Sequence, residues 1–151
     1  MKPATFVALT LFVLSEAVFS HQPFSASANS PQQSERPNFK LDPSSIEFGN
    51  QVAKRPSKPQ RITATNAGEK KLYVNSVVLA GDNRQDFTIV NDTCTGSTID
   101  PAKSCVVDVT FTPSVTERRK ASVVFTDNAF DSPQNVPLAG TGINSINVPP
   151  R

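Results

Sequence analysis

The stretch Cys94–Pro113 reads CTGSTIDPAKSCVVDVTFTP, two cysteines bracketing ten residues rich in Thr, Ser, Gly, Asp and Pro. Behind the second cysteine, Val107-Asp108-Val109-Thr110-Phe111-Thr112 alternates apolar and polar side chains. Alternation at period two belongs to a strand with one buried face. Val107, Val109 and Phe111 are therefore expected inside, with Asp108, Thr110 and Thr112 toward water. Pro113 has no amide proton for a ladder, so the strand is expected to stop there or lie at an edge. Ile99-Asp100-Pro101-Ala102 reads as a turn, because proline presets φ and aspartate can bond back to the following backbone. A cystine here would fasten a loop to the start of a core strand.

Outward from this stretch the same grammar repeats. On the N-terminal side, Phe87-Thr88-Ile89-Val90 leads into Cys94. Leu72-Tyr73-Val74-Asn75 runs on into Val77-Val78-Leu79, with a phase shift near Ser76 as at a bulge. Gln60–Thr65 alternates and Asn66-Ala67-Gly68 turns the chain. Ser45–Phe48 is a first strand ended by Gly49-Asn50. Segment Gln51–Pro59, holding Pro56 and Pro59, is expected at an edge or at a switch between sheets. On the C-terminal side, Ala121–Thr126 is a strand with Ala121, Val123 and Phe125 inward. Asn135–Gly140 is the last, placed at an edge or switch point by Pro137. Nothing supports an amphipathic helix of about ten residues or more.

Seven or so short strands, spaced by about 8–12 residues, predict an all-β sandwich. The chain has no tryptophan, and its two cysteines lie eleven positions apart. That rules out a cystine joining two sheets through the core, as in antibody domains. By chain entropy the short loop contributes about 3 kcal/mol. The apolar inner faces are expected to supply most of the stability.

The N-terminus addresses compartment. Lys2 precedes the apolar run Phe6–Leu14, and smaller residues follow, the order of a secretory signal. The run is shorter than the roughly 20 residues needed to span a bilayer. Val18-Phe19-Ser20 and Ala26-Ser27-Ala28 compete as cleavage sites, and distance from the apolar run favours Ser20. The expected organisation is a signal peptide over 1–20, a disordered leader over 21–38, a domain over 39–142 and a flexible tail over 143–151. An exported chain with one pair of cysteines invites one disulfide, Cys94–Cys105, in a secreted, periplasmic or cell-surface setting.

Chemistry is sparse. The net charge is +2 with signs interspersed, which argues against a nucleic-acid partner. Two small basic runs, Lys54-Arg55…Lys58…Arg61 and Arg118-Arg119-Lys120, read as solvated edges. The single histidine, His21, sits beside the signal, so histidine-based catalytic arrangements find no members in the domain. Asp127 and Asp131 could pair as carboxylates, or with Asn128 approach Ca²⁺, but their composition is ordinary turn chemistry. Two cysteines and one histidine cannot complete a zinc site. No cofactor, metal or catalytic residue is assigned. Asn91-Asp92-Thr93 is a glycosylation sequon, meaningful in a eukaryotic cell.

The ordered set of motifs resembles the immunoglobulin-like domains of the ASH/HYDIN group, met in bacterial exported proteins as choice-of-anchor D domains. The resemblance is carried by Leu41-Asp42-Pro43, Ile46-Glu47-Phe48-Gly49, Gln60–Gly68, Phe87, Cys94, Ile99, Pro101, Cys105 and Val109–Pro113. Asp127-Asn128-Ala129, Ser132-Pro133-Gln134 and Leu138–Gly142 complete it. It implies a seven-stranded sandwich akin to major sperm protein and pilus-chaperone domains, with a scaffolding or adhesive role. Two positions depart from the group, Ala102 and Glu117, where glycine is frequent; glycine serves where φ is positive. The expected function is a non-catalytic exported binding module for a protein or cell-envelope component. Its first candidate surface is the stapled loop, at Thr98, Asp100 and Lys103, since Pro59 and Pro137 are expected to blunt edge strands. The alternatives are a small carbohydrate-binding or hydrolytic protein and, in a eukaryote, a cilium or centrosome scaffold.

Overall fold

The computed structural model describes residues 37–145. The expected signal peptide, its cleavage points, His21, most of the leader and the tail beyond residue 145 lie outside them. Among the described residues no helix is long and apolar enough to cross a membrane.

Among the described residues, nine strands form two sheets. β1 (Phe39–Asp42), β3 (Gln60–Asn66), β7 (Ser104–Phe111) and β5 (Phe87–Asp92) make an antiparallel sheet in the order β1-β3-β7-β5. The second sheet runs β2 (Ile46–Val52), β9 (Gln134–Ile143), β8 (Arg118–Asp127), β4 (Leu72–Ala80), β6 (Thr98–Ile99). Its β2–β9 pairing is parallel and the others are antiparallel. A 3-10 turn, Arg84–Asp86, precedes β5.

The period-two reading of β7 holds on its apolar side: Val107, Val109 and Phe111 are fully buried. Ala121, Val123 and Phe125 of β8 face the same core. Phe48, Phe87 and Phe111 cluster with ring centroids 4.9–5.8 Å apart, and Phe39 meets Phe125 edge-on at 5.6 Å. Burying one Val, Leu, Ile or Phe contributes about 1.5–3 kcal/mol. One or two such side chains therefore match the cystine's contribution, and the inner faces dominate.

The polar side of β7 differs from expectation. Thr110 is buried, because β7 lies between β3 and β5 and β5 covers that position in register with Thr88. Asp108 and Thr112 are half-buried. Nine strands replace seven because β1 and β6 are too short to show alternation; pairing with β3 and β4 defines them. β2 does not end at Gly49. It continues to Val52 through a register shift between Glu47 and Asn50, with Gly49 at φ 67°. The phase shift near Ser76 is a real irregularity between Val74 and Ser76. The chain passes from one sheet to the other between β2 and β3, as the proline-rich segment predicts.

Neither Pro59 nor Pro137 lies on an edge strand, which corrects the expectation for both. Pro59 precedes β3, an interior strand. Pro137 is within β9, between β2 and β8. It is tolerated there because the ladder to β2 begins only at Leu138, while Pro137 stands opposite Ser122 of β8. Pro37 is buried, the Asn38 carbonyl accepts from Ala67, and Ile143, expected in the tail, pairs with Val52.

The Gly140-Thr141-Gly142 motif is a matter of space. A methyl group on Gly140 would come within 2.5 Å of the Phe111 ring, and one on Gly142 would overlap the Val115 carbonyl oxygen. A ring can shift; backbone cannot. The second glycine is therefore the stricter requirement.

Candidate functional site

The stapled loop begins where β5 ends. Asp92 accepts from the amides of Cys94 and Thr95 at 2.7 and 3.0 Å and from the Thr95 hydroxyl at 2.6 Å. This local turn aims Cys94 inward, where it is fully buried. The Cys94–Cys105 disulfide is formed, with Cα atoms 5.1 Å apart. From there the loop leaves its own sheet. Gly96 donates to the Val74 carbonyl, Val74 donates to Ser97, and Thr98–Ile99 pairs with Leu72 and Tyr73 as β6. The loop thus crosses to the other sheet and returns at β7. The expected turn is present one residue later, closed by Lys103 donating to the Asp100 carbonyl at 3.0 Å.

Asn66 fastens the return. Its side-chain amide donates to the carbonyls of Lys70 and Ile99 at 2.7 and 2.9 Å and accepts from Gly68 at 3.1 Å. Its backbone donates to Lys103 and accepts from Ala102. The residue is fully buried. Sequence reading saw only a turn residue, since its partner Ile99 lies 33 positions away. No local signal marks such a contact.

The three candidate residues stay exposed on this braced frame. Thr98 lies on β6, opposite Tyr73. Asp100 pairs with Lys71 at 3.0 Å, an exposed pair that adds little stability. Lys103 has no acidic partner within ion-pair distance among the described residues.

Ala102, one of the two departures from glycine, sits at φ 61°. Left-handed backbone costs a Cβ-bearing residue about 1–2 kcal/mol, and glycine's greater unfolded-state freedom offsets part of that. Ala102→Gly is therefore expected to raise stability by about 0.5–1 kcal/mol, read as a higher urea midpoint at unchanged m. A lower midpoint would show that the turn carries no strain. Glu117 is not among the positive-φ residues, so its departure is harmless.

The Asp127–Ser132 loop lies at the same end of the sandwich as the stapled loop. Asp127 Oδ1 caps the Ala129 amide at 2.7 Å, Asn128 Oδ1 accepts from the Tyr73 amide, and Gln134 donates to Asp131. These are turn contacts. Among the described residues no group of three or more His, Cys, Asp or Glu converges to hold a metal. Asp127 is buried, and its Oδ2 has no hydrogen-bond partner among the described residues. Burial, chiefly, pushes its carboxyl up; the Ala129 amide opposes this, and the Asp131 charge adds to the rise. A raised folded-state value means that the stability linked to the protonated form is complete below the ordinary carboxylate range. It is lost as pH rises through the folded value. Asp127→Asn is thus expected to flatten the decline that sets in as pH rises above the ordinary carboxylate range. Urea midpoints of both proteins across that rise in pH test it; parallel curves would refute it.

Sequence reading also missed an ion pair under the second basic run. Arg119 donates to Asp86 at 2.6 Å, with side-chain exposures of 14% and 2%. Ser114 donates to the same carboxylate oxygen. Arg118 engages Glu47 through both terminal guanidinium nitrogens.

Two sheets, short strands and edge-to-edge switching define an immunoglobulin-like β-sandwich. A family model described as HYDIN/CFA65/VesB-like, Ig-like domain matches residues 37–141. The chain belongs to this family, the group its motifs resemble. Among solved structures it is similar to the secreted serine protease VesC of Vibrio cholerae, at 17% identity and TM-score 0.54, covering 74% of this chain and 24% of that one. It is similar to the VesB protease of the same organism at 16% identity and TM-score 0.50, covering 71% and 32%. The human CEP192 ASH/PapD-like domain 7 matches at 13% identity and TM-score 0.52, covering 90% of this chain and 99% of that one. The chain thus spans a quarter to a third of the two proteases and almost all of the CEP192 domain. No curated protein matches the chain significantly.

Proposed function

We propose that this chain is an exported, non-catalytic immunoglobulin-like module that binds a protein or cell-envelope component through its stapled loop. The observation that carries the reading is the bracing of that loop. The cystine, β6 and Asn66 hold it to both sheets while Thr98, Asp100 and Lys103 remain in solvent. A surface fixed before association loses less conformational freedom on binding. A buried cystine also fits an oxidising compartment, in keeping with the signal-like N-terminus.

The test is capture from the native cell envelope with the oxidised chain and two variants, Thr98→Arg and Lys103→Glu. Both substitutions change exposed side chains, so thermal stability is expected to hold. Retention of the captured component is expected to fall about tenfold or more, the scale for one or two disturbed interface contacts. Wild-type capture by both variants would move the interface off this loop.

A further inference from the structure

The two basic runs, separated in sequence, fall at the same end of the sandwich. β2 and β9 finish together at Val52 and Ile143, and β3, β5 and β8 start at that same end. Lys54 donates its amide to Pro113, Ser57 to Phe111, and Asn83 to Lys120, tying three loops into one tip. Lys54, Arg55, Lys58, Arg84 and Lys120 are exposed there. None has an acidic side chain within ion-pair distance among the described residues. The nearby carboxylates face the arginines of the second run: Glu47 holds Arg118, Asp86 holds Arg119, and the exposed Glu117 lies 3.8 Å from Arg119. Asp82 alone is an unpaired acid in the adjoining groove, an open cavity of about 500 Å³ also lined by Asn83, Arg118 and Lys120. The tip has an apolar point as well. Ser114 is anchored to Asp86, and the next residue, Val115, is 43% exposed.

We propose that this tip is a docking surface for an anionic lipid layer, with headgroup phosphates met by Lys54, Lys58 and Lys120 and Val115 entering the headgroup boundary. Scattered point charges around a single exposed apolar side chain suit a fluid surface of phosphates. An acidic protein would need matched, fixed partners, which dispersed lysines do not specify. The stapled loop lies at the opposite end, so the chain can meet a surface with one end and a partner with the other. This surface is independent of the loop reading.

The full oxidised chain is mixed with vesicles of neutral lipid, or of neutral lipid with about a third phosphatidylglycerol, and the bound fraction is measured by sedimentation. Comparing the two vesicles removes any charge-independent contribution of the apolar residues 6–14. Binding is expected on anionic vesicles and to fall steeply with added salt. The triple variant Lys54→Glu, Lys58→Glu, Lys120→Glu is expected to lose roughly a hundredfold in partitioning. Val115→Asp is expected to weaken partitioning with the salt dependence retained, and Lys103→Glu, at the far end, to leave it unchanged. Unaltered thermal midpoints exclude misfolding. Equal binding to both vesicles, or wild-type binding by the triple variant, overturns the proposal. So does retention on a sulfated polysaccharide without binding to anionic vesicles, which would assign the tip to a glycan.

Discussion

Arg119→Met is expected to destabilise the domain by about 3–5 kcal/mol, the scale for removing one partner of a buried ion pair. Asp86 is only 2% exposed, and its Oδ2 would be left with the Ser114 hydroxyl as its one side-chain donor. The same residue holds the β7–β8 connection, since its carbonyl accepts from Thr112 at 2.7 Å. An uncompensated charge there disturbs both the core rim and the loop above it. Adding Asp86→Leu to Arg119→Met is expected to recover much of the loss, because two apolar side chains can replace a buried pair at little net cost. Urea unfolding of the two single variants and the double variant gives the coupling. A loss under about 1 kcal/mol for Arg119→Met would show the pair to be solvated.

Asn66→Ala is the second large effect, expected at about 3 kcal/mol. It deletes two donors and one acceptor from a fully buried position and leaves the Ile99 and Lys70 carbonyls and the Gly68 amide without that partner. Unmet buried polar groups cost about 1–3 kcal/mol each, and water reaching the part-buried ones reduces the sum. Asn66→Asp is expected to be no better, because a carboxylate cannot donate to either carbonyl. The loss should be accompanied by faster proteolysis within residues 95–104, since the Asn66 side chain ties the Ile99 carbonyl down. A stable Asn66→Ala domain with an unaltered loop would remove Asn66 from the account.

What the sequence reveals and what it hides follow from the range of the interactions. Alternation in Val107–Phe111 and Ala121–Phe125 is written by local pleat geometry, so the inward residues can be read directly. The cystine and the need for small residues at Gly140 and Gly142 also leave marks in the chain. β6 does not, because two residues cannot show a period and only Leu72 and Tyr73 make them a strand. Pro137 misleads for a related reason. A missing donor signals an unpaired position, and here that position is the rim of an interior strand rather than an edge. Arg119 looks like its exposed neighbours Arg118 and Lys120 until Asp86, 33 positions earlier, is folded against it. For the candidate loop, sequence named Thr98, Asp100 and Lys103 but not the frame behind them. Asn66 and β6 became visible only through long-range pairing.

The central claim, that the braced loop is the recognition surface, is tested most directly by site-specific cross-linking. A photoreactive side chain is placed at Lys103, at the loop tip, and in a parallel protein at Lys40, exposed on β1. Each oxidised protein is irradiated in the native cell envelope. A discrete cross-linked product is expected from position 103, lost on introducing Thr98→Arg, and none from position 40. A product from position 40 with none from 103 would contradict it and place recognition on the β1 edge.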